Sequence, residues 1–152
     1  MRVRRASFVA LLALVVLPGC GGGGGGGGTP LTKKEYAAKA DAICGKYSEQ
    51  TKTFANPTNL SDLATVADKT LSVLDKAMGE LKTLKPPASE KAIADQWLTQ
   101  VDNLKKDLTE IRDKAKANDK PGVSAVLPKA QDHNSKTNEL AGQLGMSVCN
   151  QD

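Results

Sequence analysis

The stretch Trp97-Leu-Thr-Gln-Val101-Asp-Asn-Leu104-Lys-Lys-Asp-Leu108-Thr-Glu-Ile111-Arg-Asp-Lys-Ala115 decides the fold. Its apolar residues Trp97, Val101, Leu104, Leu108, Ile111 and Ala115 recur at steps of 4, 3, 4, 3 and 4. Such steps keep side chains on one face of an α-helix, and their alternation is the period of helices that cross at a shallow angle, as in a coiled coil. Asn118-Asp119 ends this helix.

The same period extends on both sides. Downstream, a fourth helix opens near Pro121, a residue favoured in a first turn. Val123, Val126, Leu127, Ala130, Thr137, Leu140, Ala141 and Leu144 form its inward face, and Pro128 is expected to kink it. Leu144-Gly145-Met146 reads as a helix end with a left-handed Gly145 and Met146 packing back, ahead of a short tail, Ser147-Val148-Cys149. Upstream, Leu60, Leu63, Ala67, Leu71, Leu74, Met78 and Leu81 predict a second helix from about Leu60 to Leu84, closed by Pro86-Pro87. The first helix opens on a capping box, Thr32 with Glu35, stapled by Leu31 and Tyr36. Tyr36, Ala40, Ile43, Cys44, Tyr47 and Phe54 carry it forward until Asn56-Pro57 stops it.

No segment alternates as a strand does. The expected fold is therefore all-α, an antiparallel four-helix bundle with up-down-up-down connections over residues 32–152. On the outer faces, Glu35/Lys39, Asp102/Lys106 and Glu110/Lys114 are spaced for ion pairs.

The first 31 residues are of another kind. Arg2, Arg4 and Arg5 precede an apolar run from Ala6 to Leu17 that is interrupted only by Ser7, the order of a secretory signal. The run falls short of the roughly 20 apolar residues of a membrane span. Eight glycines, Gly21 to Gly28, follow Cys20 and read as a tether too poor in side chains to pack. The leader also distorts the composition. Of 21 Lys+Arg, three arginines lie within it, which leaves 18 against 17 Asp+Glu, a net of +1. With Arg112 the sole remaining arginine and few aromatics, a nucleic-acid partner is not expected.

Leu17-Pro18-Gly19-Cys20 resembles the lipobox of bacterial lipoproteins: an aliphatic residue, a variable one, a small one, then cysteine. The resemblance implies diacylglyceryl transfer to Cys20, cleavage before it, further acylation such as palmitate, and a membrane anchor on the extracytoplasmic face. Residues 1–19 are then the signal peptide and 20–31 the lipidated cysteine and tether. The helical part, from Glu35-Tyr36-Ala-x-x-Ala40-Asp41-Ala42-Ile43-Cys44 to Leu144-Gly145-x-x-Val148-Cys149, resembles a group of small uncharacterised actinobacterial lipoproteins of the cell envelope. That resemblance implies location and fold, and carries no activity or catalytic residue.

A search for chemistry returns little. His133 is the only histidine, and its neighbour Asp132 cannot face it on a helix. Zinc needs several Cys or His ligands at short spacing, calcium an acidic loop, and di-iron a Glu-x-x-His pair; none of these patterns occurs, so no metal or cofactor is expected. Trp97 reads as core or as an aromatic anchor for a ligand or partner. His133, Asn134 and Asn138 read as a polar core layer or as the mouth of a pocket opened at Pro128. The expected function is a non-enzymatic binding or envelope module, monomeric, that meets an envelope protein, glycan or lipid. The alternative is a small-ligand receptor with a pocket inside the bundle, with Trp97, His133 and Asn134 as its contacts.

With Cys20 consumed by lipid, Cys44 and Cys149 remain for a disulfide in an oxidising compartment. Cys44 lies 12 residues beyond Thr32, about 18 Å along the first helix, while the tail from Gly145 reaches about 14 Å. The two therefore meet only if the tail turns back, a reversal that a left-handed Gly145 would supply, or if the first turns of the first helix overhang the bundle.

Overall fold

The computed structural model describes residues 29–151. The stretch expected to be a signal peptide, Cys20 and the run Gly21 to Gly28 lie outside the described residues. The described chain is all-α: α1 (Lys33–Thr51), α2 (Leu60–Leu81), a 3-10 turn (Ala88–Glu90), α3 (Lys91–Lys116) and α4 (Lys120–Gln143), with no strand among the described residues. They form a four-helix bundle in which α3 packs most extensively on α4, then on α2, while α1 packs on α2.

The helix ends follow from local chemistry. Thr32 and Glu35 form the capping box on α1, the Thr32 N–H donating to Glu35 at 2.9 Å and the Glu35 N–H returning to Thr32 Oγ1 at 3.3 Å. Asn59 caps α2 by accepting the Asp62 N–H at 2.9 Å. Asp119 caps α4 by accepting the Gly122 N–H at 2.8 Å. A side chain on Gly122 would strike that carboxylate, its Cβ falling 2.1 Å from Asp119 Oδ2. Asn118, at φ 56°, closes α3 in the left-handed region.

Two helices are shorter than the sequence predicts. α1 stops at Thr51 rather than running to Asn56, and Thr51 and Thr53 turn their hydroxyls onto the Ser48 and Gln50 carbonyls at this end. Phe54 therefore packs from a turn, against Tyr47, Val73 and Ala77. α2 ends at Leu81 rather than Leu84, where Thr83 likewise bonds the Glu80 carbonyl. α4 runs unbroken through Pro128. The carbonyl that proline leaves unbonded belongs to Ser124, and both residues are exposed, so water can serve it.

The expected i,i+4 pairs give way to others. Glu35 is held by its cap, Asp102 pairs with Lys82 of α2 at 3.3 Å, and Lys114 pairs with Asp119 at 3.3 Å. Further ion pairs join α2 to α3: Lys105 with Asp75, and Lys116 with Asp68 at 2.8 Å.

The core has two main bodies. One gathers Tyr36 and Ala40 of α1, Met78 and Leu81 of α2, Trp97 and Val101 of α3, and Ala141, Leu144 and Met146. The other gathers Ala64, Ile111, Ala115, Val123 and Val126, from α2, α3 and α4 alone. In the α3 stripe, Trp97, Val101, Ile111 and Ala115 are buried, but Leu104 and Leu108 are only half-buried. The deepest seat between them belongs to Asp107, 1% exposed.

The disulfide is formed, with Cys44 and Cys149 Cα atoms 5.4 Å apart. Gly145, at φ 80°, reverses the chain. Its N–H donates to the Gly142 carbonyl at 2.9 Å and the Met146 N–H donates to Ala141 at 3.0 Å, which satisfies the last carbonyls of α4 and buries Met146.

These burials set an order of costs. Leu144→Ala, at a site with no exposed surface, should cost about 2–5 kcal/mol. Leu104→Ala should cost about 1–2 kcal/mol, since part of that side chain already meets water. Chemical denaturation of both variants checks this; equal losses would contradict the packing.

Candidate functional site

The seam between α3 and α4 holds a carboxylate, Asp107, that is almost wholly buried. Lys129, His133 and Thr137 stand four residues apart on α4 and so share one face. That face meets Asp107 of α3. His133 Nδ1 lies 2.5 Å from Asp107 Oδ2, and Lys129 Nζ lies 2.9 Å from Oδ1. Thr137, also buried, donates its hydroxyl to the His133 carbonyl at 2.8 Å.

Burial alone would push the Asp107 carboxyl up. The His133 hydrogen bond, the Lys129 contact and the charges behind them outweigh burial and hold the group below its ordinary value. An ionised carboxylate only accepts, so His133 Nδ1 carries the proton on that bond. A carboxylate fixing an imidazole in this way is the arrangement that orients a general base. The neighbouring hydroxyls do not extend it: Thr137 is turned to a backbone carbonyl, and Ser124 sits nine residues before His133, about 13.5 Å along the helix.

A second carboxylate organises the opposite end of α4. Asp41 of α1 accepts the N–H groups of Ser147, Val148 and Cys149 at 2.8, 2.8 and 3.0 Å, and the Ser147 hydroxyl at 3.0 Å. Burial raises the Asp41 carboxyl, and these donors more than reverse it, so its pKa lies below the usual value. Asp41 stands one turn before Cys44, so hydrogen bonds and disulfide pin the same five-residue tail to one face of α1.

Trp97 is 1% exposed and belongs to the core, among Tyr36, Leu144 and their neighbours. Its Nε1, like Gln100 Oε1 one turn on, is buried without a hydrogen-bond partner among the described residues. His133 is partly buried on the α3–α4 seam, and Asn134 and Asn138 are each engaged by a partner. Among the described residues, three open hollows on the surface are lined by neither Trp97, Pro128 nor His133. No group of three or more metal-ligating side chains occurs among the described residues.

Asp107 does not stand out in the sequence, because Leu108 beside it fits the apolar stripe. Positions 104, 107 and 111 are also spaced by 3 and 4, so an aspartate on the inner face was the available signal. Asp41 offered none, since its partners are 106 to 108 residues away.

No protein-family model, no curated protein and no solved structure matches this chain. What the fold and site define is a class: a small helical bundle with its C-terminal tail tied to its first helix by a disulfide and a carboxylate.

Both carboxylates are depressed in the fold, so their stabilisation is present above the unfolded-state value of about 3.9 and is lost as pH falls from there through the folded values. Asp107→Asn should cost about 1–3 kcal/mol at neutral pH. The gap between variant and wild type should narrow on acidification below about pH 4. Denaturant titrations across pH measure this; a gap independent of pH would show that ionised Asp107 contributes nothing. Asp41→Asn should behave in the same direction.

Proposed function

We propose that this protein is a lipid-anchored, extracytoplasmic lipoprotein whose helical domain acts as a non-enzymatic binding or envelope module. The observation that carries the reading is Leu17-Pro18-Gly19-Cys20 directly behind an Arg-rich start and an apolar run. Two acyl chains at Cys20 give durable attachment where one would be marginal. The Cys44–Cys149 bridge supports it, because disulfides persist in oxidising compartments and are rare in the cytosol.

The bundle is, on this proposal, up-down-up-down with antiparallel neighbours. The contacts that favour this are Leu31 N–H to the Lys85 carbonyl, Tyr47 against Val73 and Ala77, and Asp107 with His133. The alternative, a receptor with a ligand pocket inside the bundle, draws no support from the three open hollows or from a Trp97 covered by the core. The anchored module would meet a protein, glycan or lipid of the envelope through its outer faces, as a monomer without a cofactor.

Metabolic labelling with a tagged palmitate tests the anchor. Label should enter the wild-type protein and be absent from Cys20→Ala, which should also leave the membrane fraction. Equal labelling of the two would overturn the reading.

A further inference from the structure

Asp41 stands three residues before Cys44, so the two share a face of α1. Asp41 Oδ1 accepts the Val148 N–H at 2.8 Å and the N–H of Cys149 itself at 3.0 Å. Its Oδ2 accepts the Ser147 N–H at 2.8 Å and the Ser147 hydroxyl at 3.0 Å. One carboxylate thus takes three successive amides, and the last belongs to the cysteine that the bridge joins. Apolar burial gives out at this point. Met146 is buried, but Ser147 is exposed and Val148 and Cys149 are only partly covered. Val148 lies over Gly45, beside Cys44, where a side chain on that glycine would bring its Cβ 3.8 Å from Val148 Cγ1. Gln151 turns back on the tail, its Nε2 donating to the Ser147 carbonyl at 2.7 Å. With the chain reversed at Gly145 and its amides on Asp41, the Cys44 and Cys149 Cα atoms stand 5.4 Å apart, inside the span a disulfide bridges.

We propose that Asp41 is a positioning residue for the formation of the Cys44–Cys149 bridge: by collecting the Ser147, Val148 and Cys149 amides it biases the tail to lie with the Cys149 thiol against Cys44 before the bond exists, and so raises the effective concentration of the two thiols. Holding two reacting groups in place turns their encounter into an intramolecular step, and this is where the gain arises. The oxidant is a small-molecule disulfide. The thiolate of one cysteine attacks it, forms a mixed disulfide and releases one thiolate. The thiolate of the other cysteine then attacks the protein sulfur of that mixed disulfide, which closes the bridge and releases the second. Two protein thiols are oxidised by two electrons, the small disulfide is reduced to two thiols, and the two thiol protons pass to the released thiolates. The coupling is reciprocal, because the factor by which the Asp41 hydrogen bonds favour the bridge is the factor by which the bridge favours those hydrogen bonds. Loss of Asp41 therefore makes the bridge easier to reduce, and loss of the bridge loosens the tail on Asp41. The proposal is independent of the anchor at Cys20.

The test uses the chain carrying Cys20→Ser, in which Cys44 and Cys149 are the two remaining thiols. It is brought to equilibrium with reduced and oxidised glutathione at a series of ratios and trapped with an alkylating reagent, and the bridged fraction is read by intact mass. Asp41→Asn should shift the equilibrium toward the thiols by about tenfold, and Asp41→Ala, which leaves no acceptor, by at least as much. Val126→Ala removes methyl groups from the second core body, which contains no residue of α1 or the tail. It lowers the stability of the fold and should leave the thiol–disulfide equilibrium unchanged. Circular dichroism of each reduced protein should show the same helix content. An equilibrium that Asp41→Asn and Asp41→Ala leave unmoved would overturn the proposal. So would an equal shift in Val126→Ala, which would show that the bridge follows the stability of the whole bundle and not the seat of the tail.

Discussion

The attachment of the C-terminal tail to α1 is the constraint on which the bundle's closure depends. α1 packs mainly on α2, and the second core body, around Ile111 and Val126, is built without it. What joins α1 to the end of α4 is the shared core of Tyr36, Ala40, Ala141 and Leu144, the four donors on Asp41, and the Cys44–Cys149 bridge. The bridge closes a loop with a sequence separation of 105, which removes much freedom from the unfolded chain. The Asp41 hydrogen bonds act differently: they satisfy three successive backbone amides that a tail in this position would otherwise leave unpaired. The covalent bond sets which elements meet, and the carboxylate sets how the tail lies.

Asp107 imposes a second constraint, on the α3–α4 seam. A carboxylate that is 1% exposed must find its partners in one place, and they come from α4 at Lys129 and His133. A shift of α4 by one residue would turn both donors away and leave a buried charge unpaired, which costs far more than the pair contributes. The apolar residues around it would tolerate such a shift better. The polar pair therefore fixes the register of the two helices that pack most extensively.

The helices were legible in the sequence because the 3-and-4 spacing of Trp97, Val101, Leu104, Leu108, Ile111 and Ala115 is a local property, but the faces were legible only in part: Leu104 and Leu108 are half-buried, and Leu127, expected to face inward, is exposed. The Thr32 cap and the left-handed Gly145 were legible for the same reason, being decided by neighbours within four residues. The disulfide followed from counting cysteines once Cys20 was assigned elsewhere. Early helix ends at Thr51 and Leu81 were not legible, since threonine hydroxyls bonding back onto the last turns compete with further helix only weakly. The partners of Asp41 and Asp107 were hidden because both pairings are tertiary. Even there the inner-face position of Asp107 was visible, and its cost in a buried stripe pointed to a partner.

Amide hydrogen exchange on the native protein, with the disulfide intact and then reduced, tests the closure most directly. Reduction should deprotect the Ser147, Val148 and Cys149 amides and the turns of α1 around Asp41 and Cys44. The amides of α2, α3 and α4 around Ile111, Asp107 and Val126 should keep their protection. Unchanged protection of α1 and the tail after reduction, or loss of protection everywhere at once, would contradict it.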